Sequence, residues 1–380
     1  MSTVSEYRTP SQLIEAHLRA RGWTQRVLAL VLGMDETTVS KILTAKKAID
    51  VELAFALEAV LGINRKQLLR LQTEYELAKA EIEVRIDPRL PGRVALFGDL
   101  PISDMVKRGW LTGVTDVRDK DLEQALCRFF DVNSVDEIEI LPHAAKKANV
   151  ATRTMPAQLA WLYRVRQLAD DMLVAKYSKR GLADAARKLK TLLVSPEAAR
   201  RVARIMSECG VRYLIVESLP SAKIDGVCFW LDDHSPVIGM SLRHDRIDNY
   251  WFVLRHEIEH ALQGHGRAAA MLDVELEKER AGTDSNIPEE ERIANAAAAN
   301  FCVPQQSLDR FIVRKEPFFA ERDILGFAKT LGIHPGLVAG QLQHRTGRYD
   351  LFRNHLVKIR SIVTPGATVD GWGDVAPVGM

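Results

Sequence analysis

Two histidines four residues apart, with a glutamate between them, are the residues of this chain best placed to do chemistry. His256-Glu257-Ile258-Glu259-His260 forms an H-E-x-x-H pattern inside the stretch Trp251 to Gly264, WFVLRHEIEHALQG. Residues four apart share one face of a helix, so both imidazoles can close on a single metal ion. Glu257 stands beside that ion without being bound to it. A carboxylate there can act as general base, taking the proton from a water that attacks a peptide carbonyl. Tyr250, Trp251, Phe252, Val253 and Leu254 lead into the pattern and Ala261 and Leu262 continue it. That apolar frame predicts a buried helix whose polar pair faces a cleft.

Such a site takes a third protein ligand and leaves a fourth position open for water. The next acid-rich helical segment is Pro288 to Pro304, PEEERIANAAAANFCVP. Pro288 suits a first helical turn, the alanines favour helix and Pro304 ends it. Glu289, Glu290 and Glu291 compete for the ligand role. Glu291 shares a face with Ala294, Asn295 and Ala298, small residues that let another helix approach closely, and is the expected third ligand. Zinc is the expected metal, and manganese also suits two imidazoles and a carboxylate. His265, His334 and His344 are rival ligands that lack the four-residue spacing.

Trp251 to His260, followed by Glu291-Arg-Ile-Ala-Asn295 and Phe301-Cys-Val-Pro304, resembles the ImmA/IrrE family of zinc metallopeptidases. That family's pattern is H-E-x-x-H, then E-x-x-A-N with a downstream proline. The resemblance implies a zincin-like metallopeptidase domain, zinc held by His256, His260 and Glu291, and Glu257 as the catalytic base. The chain departs from the pattern at Ala297, where the family often carries phenylalanine, and in a longer acidic insertion, Asp273 to Glu290. Neither departure is expected to touch a ligand.

Residues Pro10 to Leu61 carry apolar positions at helical spacing in four short blocks, punctuated by Gly22, Gly33, Ala45-Lys46-Lys47 and Gly62. Gly33-Met34 joins the second and third blocks at the spacing of a helix-turn-helix, with Thr24 and Asp35 as N-caps. The third block would then be the recognition helix, laid in the major groove. Thr37, Thr38, Ser40, Lys41 and Thr44, with Lys46 and Lys47 just after, can reach bases or phosphates. Gln25 can hold a backbone phosphate from the preceding helix. The segment TQRVLALVLGMDETTVSKILTAKKAI resembles the Xre/Cro-type helix-turn-helix of HigA-like antitoxins, with Ala45 where that pattern has glycine. The resemblance implies an antitoxin-like regulator with a neighbouring toxin as partner. A module this small normally reads palindromic double-stranded DNA as a homodimer.

The rest of the chain sets the frame. At 380 residues, nearly half of them apolar, several domains with sizeable cores are expected. No apolar run reaches membrane-spanning length and MSTVSEYRTP lacks a signal-peptide apolar region, so no membrane partner and a cytoplasmic location are expected. Cys127, Cys209, Cys228 and Cys302 are scattered in apolar surroundings without a C-x-x-C pair, which fits reduced, buried thiols. A net charge of +2 decides nothing about nucleic acid.

The expected organisation is mostly α with a small β-sheet, an α+β chain. Residues 1–64 form the helix-turn-helix bundle. Residues 65–90 form a linker or dimerisation helix that breaks at Pro88 to Gly92. Residues 91–203 form a helical middle region whose Arg164, Arg166, Lys176, Lys179, Arg180, Arg187, Lys188 and Lys190 read as a solvated basic face. Residues 204–360 form the metallopeptidase-like domain, and Ser361 to Met380, rich in glycine and proline, a loosely ordered tail. Val211 to Val216, Val227 to Leu231 and Val237 to Leu242 change to a strand-like period directly upstream of the metal helix. An edge strand there can pin a substrate peptide, with Arg243 and Arg246 at the cleft. The function expected is a DNA-binding regulator whose zinc-dependent endopeptidase cuts a partner regulator or itself to relieve repression. The competing expectation is a repressor or antitoxin whose peptidase-like domain binds a partner or ligand and cleaves nothing.

Overall fold

The computed structural model describes residues 7–83, 100–138, 155–220, 222–274 and 288–377. The chain divides into two compact units, Met1–Pro91 and Gly92–Met380. The break expected at Pro88 to Gly92, and residues 275–287 of the acidic insertion, lie outside the described residues.

The first unit is a helical bundle: α1 (Pro10–Ala20), α2 (Gln25–Leu32), α3 (Glu36–Leu43), α4 (Val51–Leu61) and α5 (Arg65–Glu83). Thr9, Thr24, Asp35 and Asp50 cap the first four, each side chain accepting a backbone N–H of the first turn. Gly33 and Gly62 end α2 and α4 in the left-handed conformation, at φ 65° and 66°. Ile14, Leu28, Val39, Ile42, Leu57 and Leu61 make the core, and Leu68 and Leu71 of α5 join it. The start of α5 is therefore part of the bundle rather than a linker. Its far end is solvated, with Leu77 59% and Ile82 86% exposed.

The second unit begins with α6 (Ile102–Lys107), α7 (Leu122–Phe130), α8 (Pro156–Asp170), α9 (Lys179–Lys190) and α10 (Val202–Glu208). Next come β1 (Arg212–Val216), β2 (Ile224–Trp230), β3 (Pro236–Met240), α11 (Ile247–Gln263) and β4 (Met271–Val274). It continues with α12 (Glu289–Cys302), α13 (Gln305–Lys315), α14 (Glu321–Leu331), α15 (Pro335–Thr346), α16 (Arg360–Val363) and β5 (Thr368–Asp370). The strands form one sheet in the order β4-β2-β3-β1-β5. β2 runs antiparallel to both β3 and β4, whereas β1 runs parallel to both β3 and β5. The fold is thus mostly helical with a small mixed sheet, the α+β class expected.

Side chains alternate across this sheet. Tyr213, Ile215, Cys228, Ile238 and Met240 face the core that holds α11, while Leu214, Val216, Val227, Phe229, Val237 and Leu272 face Phe129, Phe130, Trp161 and Val165 of α7 and α8. Both faces are covered, which is why the strands read as near-continuous apolar runs.

Within the middle region, α7 and α8 pack on one face of the sheet, and α9 and α10 belong to the core on the other. Arg164, expected on a solvated basic face, is not there. It is buried, and its guanidinium binds the Asp370 carboxylate at 2.7 Å and the Ala376 carbonyl at 3.0 Å. The C-terminal segment, expected to be loose, supplies β5 along the edge of β1, and Asp370 also accepts from Trp110 Nε1 at 3.0 Å. Glycine and proline on either side of Thr368–Asp370 mask a strand too short to show a period.

Candidate metal centre and DNA-binding surface

The helix that carries the H-E-x-x-H pattern is α11, closed by Gly264 at φ 77°. Its apolar residues Tyr250, Trp251, Phe252, Val253, Leu254 and Ile258 are buried in the core between the sheet and α12. That packing fixes the helix with His256 and His260 inward, both fully buried. α12 runs alongside with Ala294 and Ala298 buried, small enough for two helices to approach closely. In its first turn Glu291 points inward at 1% exposure, while Glu289 and Glu290 face solvent and Glu289 pairs with Arg292. Of the three glutamates, Glu291 is the one buried beside the histidines.

A fourth residue joins the cluster. Asp273, on β4, is fully buried, and ligand atoms of His256, His260, Asp273 and Glu291 all lie within 4.8 Å of one another. The two imidazole Nε2 atoms are 2.9 Å apart. From His256 Nε2 it is 3.2 Å to Asp273 Oδ2 and 3.3 Å to Glu291 Oε2. From His260 Nε2 the corresponding carboxylate distances are 4.0 and 3.7 Å. These separations straddle the roughly 3.4 Å edge of a tetrahedron whose bonds are about 2.1 Å long. The group could hold a metal ion. The acidic insertion, expected to leave the ligands untouched, instead begins with a residue of the cluster.

Electrostatics agree with the donor set. Glu257, Asp273 and Glu291 bring carboxylates into a dry interior, where such charges are costly unless a cation accompanies them. Burial works against charge on His256, yet Asp273 and Glu291 outweigh it and raise the imidazole to about 9. Burial and Asp273 push Glu291 upward, but its hydrogen bonds to the two histidines prevail and hold it below the usual glutamate value. A divalent cation would satisfy the same carboxylates that favour that proton.

Around the cluster, the neighbours set orientation. Gly226 of β2 faces the Glu257 carboxylate so closely that a Cβ there would stand 2.2 Å from Oε1. The glycine therefore makes the room that Glu257 occupies. His260 Nδ1 lies 2.9 Å from His265 Nδ1, an arrangement that leaves His260 Nε2 turned to the cluster. Burial lowers the His265 pKa, and His260 lowers it further. Cys228 is near, but burial first, then Glu257 and Asp273, push its thiol well above the usual range, so it stays protonated and a poor ligand. Arg243 and Arg246 are tied to Asp225 at 3.1 Å and to Asp248 at 2.8 Å. His334 caps α15 by accepting the Gly336 N–H and takes no part in the cluster. Spacing does not reveal Asp273 or Gly226, and it offers His265 only as a rival ligand. The signal available for Asp273 is an acid inside the short apolar run Met271-Leu-Asp-Val.

In the first unit, α2 and α3 are joined by Gly33 to Asp35 as a helix-turn-helix. Gln25, Thr37, Lys41, Thr44, Lys46 and Lys47 are exposed, and Thr38 and Ser40 are half-buried. Not all are equally available. The Thr38 hydroxyl donates to Asp35 Oδ2 at 2.6 Å, and the Thr44 hydroxyl donates to the Ser40 carbonyl at 2.8 Å. Gln25 reaches Glu36 at 3.4 Å. Ala45 does take the left-handed turn, at φ 55°, with the Lys46 N–H closing on the Lys41 carbonyl at 2.8 Å.

Among the described residues, no helix is long and apolar enough to cross a membrane. No curated protein matches the chain. Residues 14–68 match a family model described as helix-turn-helix, which covers α2, α3 and the packing helices around them and marks this unit as the DNA-binding part of a transcriptional regulator.

Proposed function

We propose that the chain is a DNA-binding transcriptional regulator carrying a metal-dependent endopeptidase, which cuts a partner regulator or the chain itself to relieve repression. The observation that carries this reading is the juxtaposition of buried His256, His260 and Glu291 with the base candidate Glu257 on one helix pair. A divalent metal, zinc by preference with manganese as the alternative, would supply Lewis acidity toward a peptide carbonyl and an attacking water. Glu257 takes the proton from that water and returns it to the leaving amine. β4, the edge strand that ends beside the cluster, offers backbone groups to align an extended substrate. Gln25, Thr37, Thr38, Ser40, Lys41, Thr44, Lys46 and Lys47 hold operator DNA, with a homodimer reading both half-sites. In an antitoxin-like setting, the protein partner is a toxin.

One observation favours the competing reading, in which the domain binds a partner and cleaves nothing: Asp273 brings the protein donors to four, the number of a closed structural site. The two readings separate by experiment. Zinc-loaded protein and Glu257→Gln are incubated with candidate partner proteins, and new termini are sought by mass spectrometry. Cleavage by the parent chain and its loss in Glu257→Gln supports the peptidase. Identical samples without new termini exclude it.

A further inference from the structure

We propose that Asp273 is a fourth, displaceable protein ligand that keeps the metal centre closed in the resting chain. This rests on the metal reading above and concerns which residue fills the position that water or substrate would need.

Asp273 and Glu291 stand in nearly the same relation to the histidine pair: 3.2 and 4.0 Å from the two Nε2 atoms for Asp273, 3.3 and 3.7 Å for Glu291. Geometry therefore gives Asp273 the same claim to the metal as the glutamate. With all four donors bound, a tetrahedral ion has no vacant position, whereas hydrolysis needs one.

The donors differ in what holds them. His256 and His260 sit in the body of α11, and Glu291 in the first turn of α12, which packs along α11. Asp273 is on a four-residue edge strand that, among the described residues, pairs only with β2; its pairing partner is Gly226, where the β2–β4 register is irregular. The register shifts between Ile224 and Gly226, so the ladder is irregular immediately beside the Gly226–Asp273 pair. Of the four side chains, Asp273 is the one whose backbone moves at the smallest cost in packing and hydrogen bonds. Opening is a ligand exchange: the carboxylate oxygen leaves and a water oxygen takes its place, so the net charge at the centre rises by one. The ion becomes both accessible and more electrophilic, next to Glu257. An extended peptide docking on β4 is the kind of ligand that would move this strand.

The test uses the full-length chain loaded with Co(II), whose visible spectrum reports coordination, and sodium azide as an exogenous ligand. Metal content is measured first. The expected result is one Co(II) per chain in wild type and in Asp273→Ala, with different spectra. Azide shifts the Asp273→Ala spectrum at a concentration about tenfold or more below that needed for wild type. Asp273→Asn, which keeps the side chain's size, gives the same direction if the alanine variant does not fold. If wild type binds Co(II) and azide shifts it as readily as the variants, Asp273 is not a ligand and the proposal fails alone. If wild type binds no Co(II), the metal reading fails with it.

Discussion

Residue by residue, the cluster follows a rule of spacing on one side and of tertiary packing on the other. His256, Glu257 and His260 are legible because a helix turns their spacing into geometry, and Glu291 because Ala294 and Ala298 mark its face. Asp273 is not, since a lone acid in a four-residue strand carries no period; only the pairing of Asp273 with Gly226 brings it beneath the histidines. His265, a rival ligand by residue type, instead touches His260 on the side away from the cluster. A partner of this kind fixes the tautomer and ring orientation of a ligating histidine. His265→Leu should therefore leave the fold intact but weaken zinc binding about ten- to hundredfold, measured by competition with a chromophoric chelator. Unchanged affinity would show that the contact has no orienting role.

The helices of the first unit show how much of an element its ends decide. Thr24 and Asp35 are readable as caps because Ser, Thr, Asp and Asn accept first-turn N–H groups, and the structure has both doing so. Thr24→Ala should cost about 1 kcal/mol in the stability of this unit, by urea unfolding. Ala45 points the other way. Its left-handed conformation at φ 55° strains a residue with a Cβ, and Ala45→Gly should stabilise the unit by about 0.5–1 kcal/mol after glycine's larger unfolded-state entropy is counted. A lower urea midpoint for Ala45→Gly would contradict that. The hydroxyls of Thr38 and Thr44 are engaged within the unit, so the proposed DNA surface rests more on Thr37 and the lysines. Replacing Lys41, Lys46 and Lys47 by alanine should flatten the dependence of log affinity on log salt by about 0.9 for each DNA phosphate that is no longer neutralised. An unchanged slope would remove α3 and its following turn from the DNA surface.

At the scale of the whole second unit, the sheet is what brings distant segments to one place. Three strands are legible from their apolar runs. β4 and β5 are not, because four and three residues are too short for alternation to register. The second of these ties the chain's end into the core: Arg164 of α8 and Asp370 of β5 form a buried ion pair that also engages Trp110. Asp370→Ala would leave an uncompensated guanidinium in the interior and should destabilise the unit by about 3–5 kcal/mol in chemical unfolding. A loss below about 1 kcal/mol would mean that water reaches Arg164 once its partner is gone. The helix-turn-helix and the buried donor cluster lie in separate compact units of one chain, and the proposed peptidase requires that cluster to hold a metal. The direct measurement is zinc content after loading and desalting the full chain, compared with a His256→Ala, His260→Ala variant whose fold is checked by circular dichroism. About one zinc per chain is expected for the parent and almost none for the variant; a zinc-free parent, or a variant that retains as much zinc, would show that these histidines hold no metal.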